Sequence, residues 1–139
     1  MSIRYLVDTN ILSEAIRQTP NQKVMQRLKQ ERHHIATASV VWHELLFGCQ
    51  RLPVSRRRSQ LENYLQDLLL AGLVILPYTQ SAAEWHATER LRLTTIGKPP
   101  AFADGMIAAI THQHQLILVT RNVSDFEGFA DLQFENWFD

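Results

Sequence analysis

Five side chains, far apart along the 139 residues, are of types that hold a divalent cation or activate water: Asp8, Glu44, Asp104, Asn122 and Asp125. Carboxylates brought together cannot all stay ionised without compensating positive charge, because like charges at close range raise one another's pKa. A divalent cation is the simplest compensation. Oxygen donors without a supporting Cys or His cluster favour Mg²⁺, with Mn²⁺ as a substitute, over zinc. Such a cation can hold a phosphate oxygen and neutralise charge that develops during phosphodiester hydrolysis. On this reading Asp8 and Asp104 are direct ligands, Glu44 is a ligand or a water-orienting base, and Asp125 with Asn122 completes the second side.

Each residue also has a structural reading. Asp8 can cap the helix that follows it, Glu44 can be a solvated helix residue, and Asp104 can simply favour a helix N-terminus. Asn122 and Asp125 have the strongest structural alternative, as ordinary turn residues after a strand. The joint arrangement, rather than any one residue, carries the chemical reading.

Elements of the right kind exist to bring them together. Ile3 to Val7 is a short apolar run ending in Asp8-Thr9-Asn10, after which Ile11, Leu12, Ala15 and Ile16 recur at helical spacing. Asn21 is placed to cap a second helix, and His34 to Ala38 reads as a second strand. Ser39 is the expected N-cap of a helix from Val40 to about Arg51, with Glu44 in its second turn and Pro53 beyond its end. A helix over Ser55 to Ala71 is closed by Gly72, and Leu73 to Leu76 supplies a third strand. Helices are expected over Ser81 to Thr95 and Phe102 to His114, the latter carrying Asp104 in its first turn, and Leu116 to Thr120 is the clearest strand. Leu132 to Phe134 is expected to add an edge strand. Strands alternating with helices imply an α/β fold with a mainly parallel central sheet covered on both faces, and ligands gather beyond the carboxyl ends of such strands.

Composition bounds the rest. The length suits one domain, 1–139, with one substantial core, and no repeat or linker divides it. Fourteen basic and fourteen acidic residues cancel, so the strong positive balance of a free-standing duplex-DNA reader is missing and a nucleic-acid partner must be argued locally. With Cys49 as the single cysteine no intrachain disulfide can form. The apolar stretches are too short for a membrane span and no leader pattern is evident, so a soluble cytoplasmic protein without a membrane partner is the expectation.

The segments Tyr5-Leu6-Val7-Asp8-Thr9-Asn10-Ile11-Leu12, Ala38-Ser39-Val40-Val41-Trp42-His43-Glu44-Leu45-Leu46-Phe47-Gly48, Ala103-Asp104-Gly105-Met106-Ile107-Ala108-Ala109 and Leu118-Val119-Thr120-Arg121-Asn122-Val123-Ser124-Asp125-Phe126 resemble, in order, those of PIN-domain ribonucleases, especially the VapC-type toxins of prokaryotic toxin–antitoxin pairs. The resemblance covers nearly the whole chain. It implies a three-layer α/β/α fold, Mg²⁺- or Mn²⁺-dependent endonucleolytic cleavage of RNA, a homodimer, and a cognate antitoxin bound over the active-site groove. The family's first three acids carry over to Asp8, Glu44 and Asp104. At its more variable fourth position this chain has the amide Asn122, with Asp125 the nearest acid. Thr9 and Thr120 match polar positions that either orient carboxylates or water, or satisfy backbone groups at strand ends.

Arg121 is the sharper candidate for contact with an RNA phosphate, with an antitoxin carboxylate or a local acid as an equal alternative partner. Arg51 and Arg56 to Arg58 are either a second phosphate-binding cluster or a solvated face. Two other roles compete with nuclease activity: a PIN-fold binding module for nucleic acid or protein with weak catalysis, and RNA processing without a toxin role. A phosphatase-like α/β domain fits less well, because the amide Asn10 stands where a second early acid belongs. A dinucleotide-binding domain fits least, since no Gly-rich turn follows Val7.

Overall fold

The computed structural model describes residues 2–139. Its chain order is β1 (Tyr5–Val7), α1 (Thr9–Leu12), a 3₁₀ turn (Ser13–Ile16), α2 (Gln22–Gln30), β2 (Ile35–Ala38), α3 (Ser39–Gln50), α4 (Arg56–Leu70), β3 (Val74–Leu76), α5 (Gln80–Thr95), α6 (Phe102–Gln113), β4 (Ile117–Val119), a second 3₁₀ turn (Val123–Asp125) and β5 (Gln133–Glu135). The five strands form one sheet in the order β3-β2-β1-β4-β5, and every pairing is parallel. Strands β1 and β2 are buried at every position, as expected for a sheet with helices on both faces.

From β1 the chain crosses to β2 and β3 on one side, and β4 with β5 lies on the other. The topology therefore reverses between β1 and β4, and side chains just past their carboxyl ends face a common crevice. The ladder between these two strands continues one step further, since the Asp8 backbone N–H donates to the Val119 carbonyl at 2.9 Å. That bond fixes the residue after β1 against the end of β4.

Several boundaries differ from the sequence expectation. Strand β2 runs directly into α3, so Ala38 is the N-cap and Ser39 already lies inside the helix. Leu73 belongs to the helix terminator, where its N–H donates to the Leu68 carbonyl at 3.0 Å, and Gly72 takes φ +91°, the left-handed conformation that ends α4. Strand β5 is displaced one residue towards the C-terminus from the expected Leu132 to Phe134. Asn21 caps α2 through its side chain as anticipated, and Ser55, expected as the first helical residue, instead caps α4 through its side chain.

The region after β4 is tied down by a buried charge. Glu89 on α5 receives two hydrogen bonds from Arg92, at 2.8 and 2.9 Å, and its Oε1 also accepts the backbone N–H of Ala130 at 2.6 Å. Arg92 reaches on to the Gly128 carbonyl at 2.7 Å. Phe126 and Phe129 are buried beside this anchor. The arginine and the backbone N–H outweigh burial and hold the Glu89 carboxyl below its ordinary range. A depressed carboxylate adds stability above its unfolded pKa and loses it as the pH falls through the lower folded value. Glu89→Gln is therefore expected to cost about 1–2 kcal/mol at pH 7, with the difference from wild type shrinking below about pH 4. Urea unfolding at both pH values measures it.

Candidate active site

Asp8 directly follows the most central strand and is 7% exposed. Both its carboxylate oxygens are engaged: Oδ1 accepts the Thr9 backbone N–H at 2.7 Å, and Oδ2 accepts the Thr120 hydroxyl at 2.9 Å. The first bond makes Asp8 the N-cap of α1, so the structural reading of this residue holds alongside its place in the crevice. Burial raises its pKa, the two hydrogen bonds oppose that rise, and the charges of Glu44 and Asp125 add to it.

The two threonines flanking the β1–β4 crevice do more than close strand ends. Thr9 donates its hydroxyl to Glu44 Oε2 at 2.8 Å, linking the start of α1 to the second turn of α3. Thr120 holds Asp8 and at the same time accepts the Asn122 backbone N–H at 3.1 Å, which starts the turn leading to Asp125. Asn10 Oδ1 accepts the Arg121 N–H at 3.2 Å and forms a third tie between the two strand ends. Sequence reading did not single out Asn10 for this role. Its only signal was a short polar amide two residues beyond a strand-terminal Asp.

Asp104 lies in the first turn of α6, where the helix dipole favours negative charge. Even so its pKa is pushed up to about 6, first by burial and then by the charges of Asp125, Asp8 and Glu44. Four acids carried by four different segments thus share one electrostatic environment. A cleft of about 550 Å³ opens beside Asp104 and Asp125, with Lys98, Pro100 and Glu127 on its walls.

Among the described residues, no three His, Cys, Asp or Glu side chains stand close enough together to form a ready metal shell. The carboxylates sense one another through their charges without converging on a point. The donor set nevertheless suits a hard divalent cation, since it is all oxygen, carries several negative charges and is partly prepaired with hydroxyl donors. Asn122 is exposed and makes no side-chain hydrogen bond among the described residues, whereas Asp125 is the fourth acid within electrostatic range.

The basic residues divide in two. Arg57 donates to the Ile16 carbonyl at 2.9 Å, and Arg58 donates to the Leu52 carbonyl at 3.1 Å while pairing with Glu62 at 3.4 Å, so both serve local structure. Arg121 is exposed, with its backbone N–H held by Asn10 and its guanidinium 4.5 Å from the ring centre of Phe138.

The PIN domain family profile matches residues 5–132, and the chain belongs to this family. Toxin FitB of Neisseria gonorrhoeae is 34% identical over 96% of this chain and 99% of FitB. VapC ribonuclease Y4jK of Sinorhizobium fredii is 30% identical over 88% of this chain and 89% of its own length. A solved structure of FitAB bound to an IR36 DNA fragment contains a chain that superposes with a TM-score of 0.87 at 30% identity, covering 97% of this chain and 96% of that one.

Two substitutions separate crowding from support. Asp104→Asn removes one like charge, so in EDTA it is expected to raise the melting temperature by a few degrees at pH 8. Because a raised carboxyl destabilises the fold only where it is ionised, the gain should fade as the pH drops below about 6. Thr120→Val strips Asp8 and the Asn122 N–H of a buried partner and is expected to cost about 1–3 kcal/mol. Thermal and urea unfolding check the pair.

Proposed function

We propose that this protein is a divalent-cation-dependent endoribonuclease acting as the toxin of a toxin–antitoxin pair. The observation that carries the reading is the gathering of Asp8, Glu44, Asp104 and Asp125 at the carboxyl edge of the sheet, where Asp104 is pushed up to about 6 by burial and by its acidic neighbours. So much negative charge around a crevice is costly for a structural role and suited to cation-assisted phosphodiester hydrolysis. The names of the relatives, a toxin and a VapC ribonuclease, support RNA as the substrate and toxicity as the role. The likeness to a chain of the FitAB complex supports a cognate antitoxin as partner, and family resemblance supports a homodimer.

In this reading Asp8 and Asp104 hold Mg²⁺, or Mn²⁺ in its place. When bound, the cation neutralises the carboxylates and offsets charge developing on the phosphate. Thr120 and the Thr9 N–H fix the Asp8 carboxylate in one orientation. Thr9 aims Glu44, whose free oxygen is available as a ligand or to accept a proton from attacking water. Asp125 and Asn122 border the opposite side, and Arg121 meets a substrate phosphate. No helix is long and apolar enough to cross a membrane among the described residues, and no membrane partner is proposed.

Purified protein is expected to cut a mixed RNA pool with Mg²⁺ or Mn²⁺ and to stop in EDTA. Asp8→Asn and Asp104→Asn should each lower the rate by about 100-fold or more while staying folded, and Asp125→Asn should lower it less. Arg121→Ala should weaken RNA binding, with a shallower salt dependence. Undiminished cutting by the Asp8 or Asp104 variant would overturn the assignment.

A further inference from the structure

We propose that His86 and Gly105 form a size-matched seat that sets the position of the first turn of α6, and with it Asp104, making both of them positioning residues for the carboxylate site. The consequence for metal binding rests on the function proposed above. The packing stands independently of it.

His86, on α5, is 2% exposed. Its Nδ1 lies 2.8 Å from the Tyr78 hydroxyl, its ring meets the Tyr78 ring edge-on, and on another side it packs 5.0 Å from the Phe102 ring centre. Phe102 is the first residue of α6. The imidazole is therefore held from both the loop before α5 and the start of α6. Its Nε2 is buried without a hydrogen-bond partner among the described residues, an arrangement that costs free energy and calls for a reason to keep the ring there.

What lies against Nε2 is Gly105. A methyl group built on Gly105 would overlap Nε2 outright and would sit 2.7 and 2.9 Å from Cδ2 and Cε1 of the same ring. Glycine inside a helix costs about 1 kcal/mol relative to alanine, and Gly105 is not among the residues with positive φ. Close approach, not backbone conformation, explains the glycine. The ring is braced from outside α6 by Tyr78, through its hydroxyl at 2.8 Å and its ring edge, so a larger residue at 105 would displace the start of α6 more readily than the ring. Asp104 is the adjacent residue on that turn. Shifting a metal ligand's support typically weakens metal affinity by about 10–100-fold.

A double-mutant cycle on the full chain tests this without RNA, with Mn²⁺ binding read by electron paramagnetic resonance and folding by circular dichroism. Gly105→Ala is expected to raise the half-saturating Mn²⁺ concentration about 10-fold or more. His86→Ala, which removes the seat, should also weaken binding. In the His86→Ala background, Gly105→Ala should change it by less than about 2-fold, because the added methyl then has room. An equal effect of Gly105→Ala in both backgrounds, or no effect in the wild type, would overturn the seat. Should Gly105→Ala prove too unstable to purify, His86→Ala decides the matter, and unchanged Mn²⁺ affinity in that variant overturns the seat. Absence of saturable Mn²⁺ binding by the wild type would instead sink the metal-site reading, and the seat's role with it.

Discussion

Mutual repulsion among carboxylates is the constraint around which this molecule is arranged. Asp8, Glu44, Asp104 and Asp125 would separate freely in an unfolded chain. In the fold they lie within electrostatic range of one another, and burial and these like charges raise the pKa of both Asp8 and Asp104. Something must hold them there. The parallel sheet brings the ends of β1 and β4 side by side, while α3 and α6 bring the other two segments to the same edge. Hydroxyl groups then fix individual oxygens: Thr120 on Asp8 and Thr9 on Glu44.

Much of the supporting structure works at one remove from that crevice. Glu89 and Arg92 anchor the segment after Asp125 through Ala130 and Gly128. Asn10 ties the start of α1 to Arg121. The His86 ring and the bare backbone of Gly105 set the spacing between α5 and α6. These contacts make the site a property of the whole domain, since α5 touches the residue next to Asp104 and anchors the segment that follows Asp125.

How much of this was legible in the sequence follows from the range of the interactions concerned. Strand ends were readable because Ile3 to Val7 and Leu116 to Thr120 are short apolar runs that stop at polar residues, and alternation of strands with helices sufficed for a parallel sheet. Asp8, Glu44 and Asp104 could be chosen because each stands at a strand end or in an early helical turn. Boundaries shifted where one element ran straight into another, as at Ala38 and Ser39. Glu89 and Arg92 stand three residues apart within a helix, and nothing local marks the burial of Glu89 against Ala130. Nothing local distinguishes His86 from the other histidines, and its partner lies 19 positions away on another helix. The Arg56 to Arg58 run looked uniform, yet Arg57 and Arg58 turn back to backbone carbonyls. Tertiary contacts of this kind leave no periodicity in the chain.

The most direct test of the central claim is the anomalous scattering of crystals grown with Mn²⁺. A peak is expected within coordination distance of both Asp8 and Asp104, with those carboxylates drawn together relative to the metal-free protein. A fully occupied Mn²⁺ elsewhere on the chain, with the crevice between these two residues left empty, would contradict it.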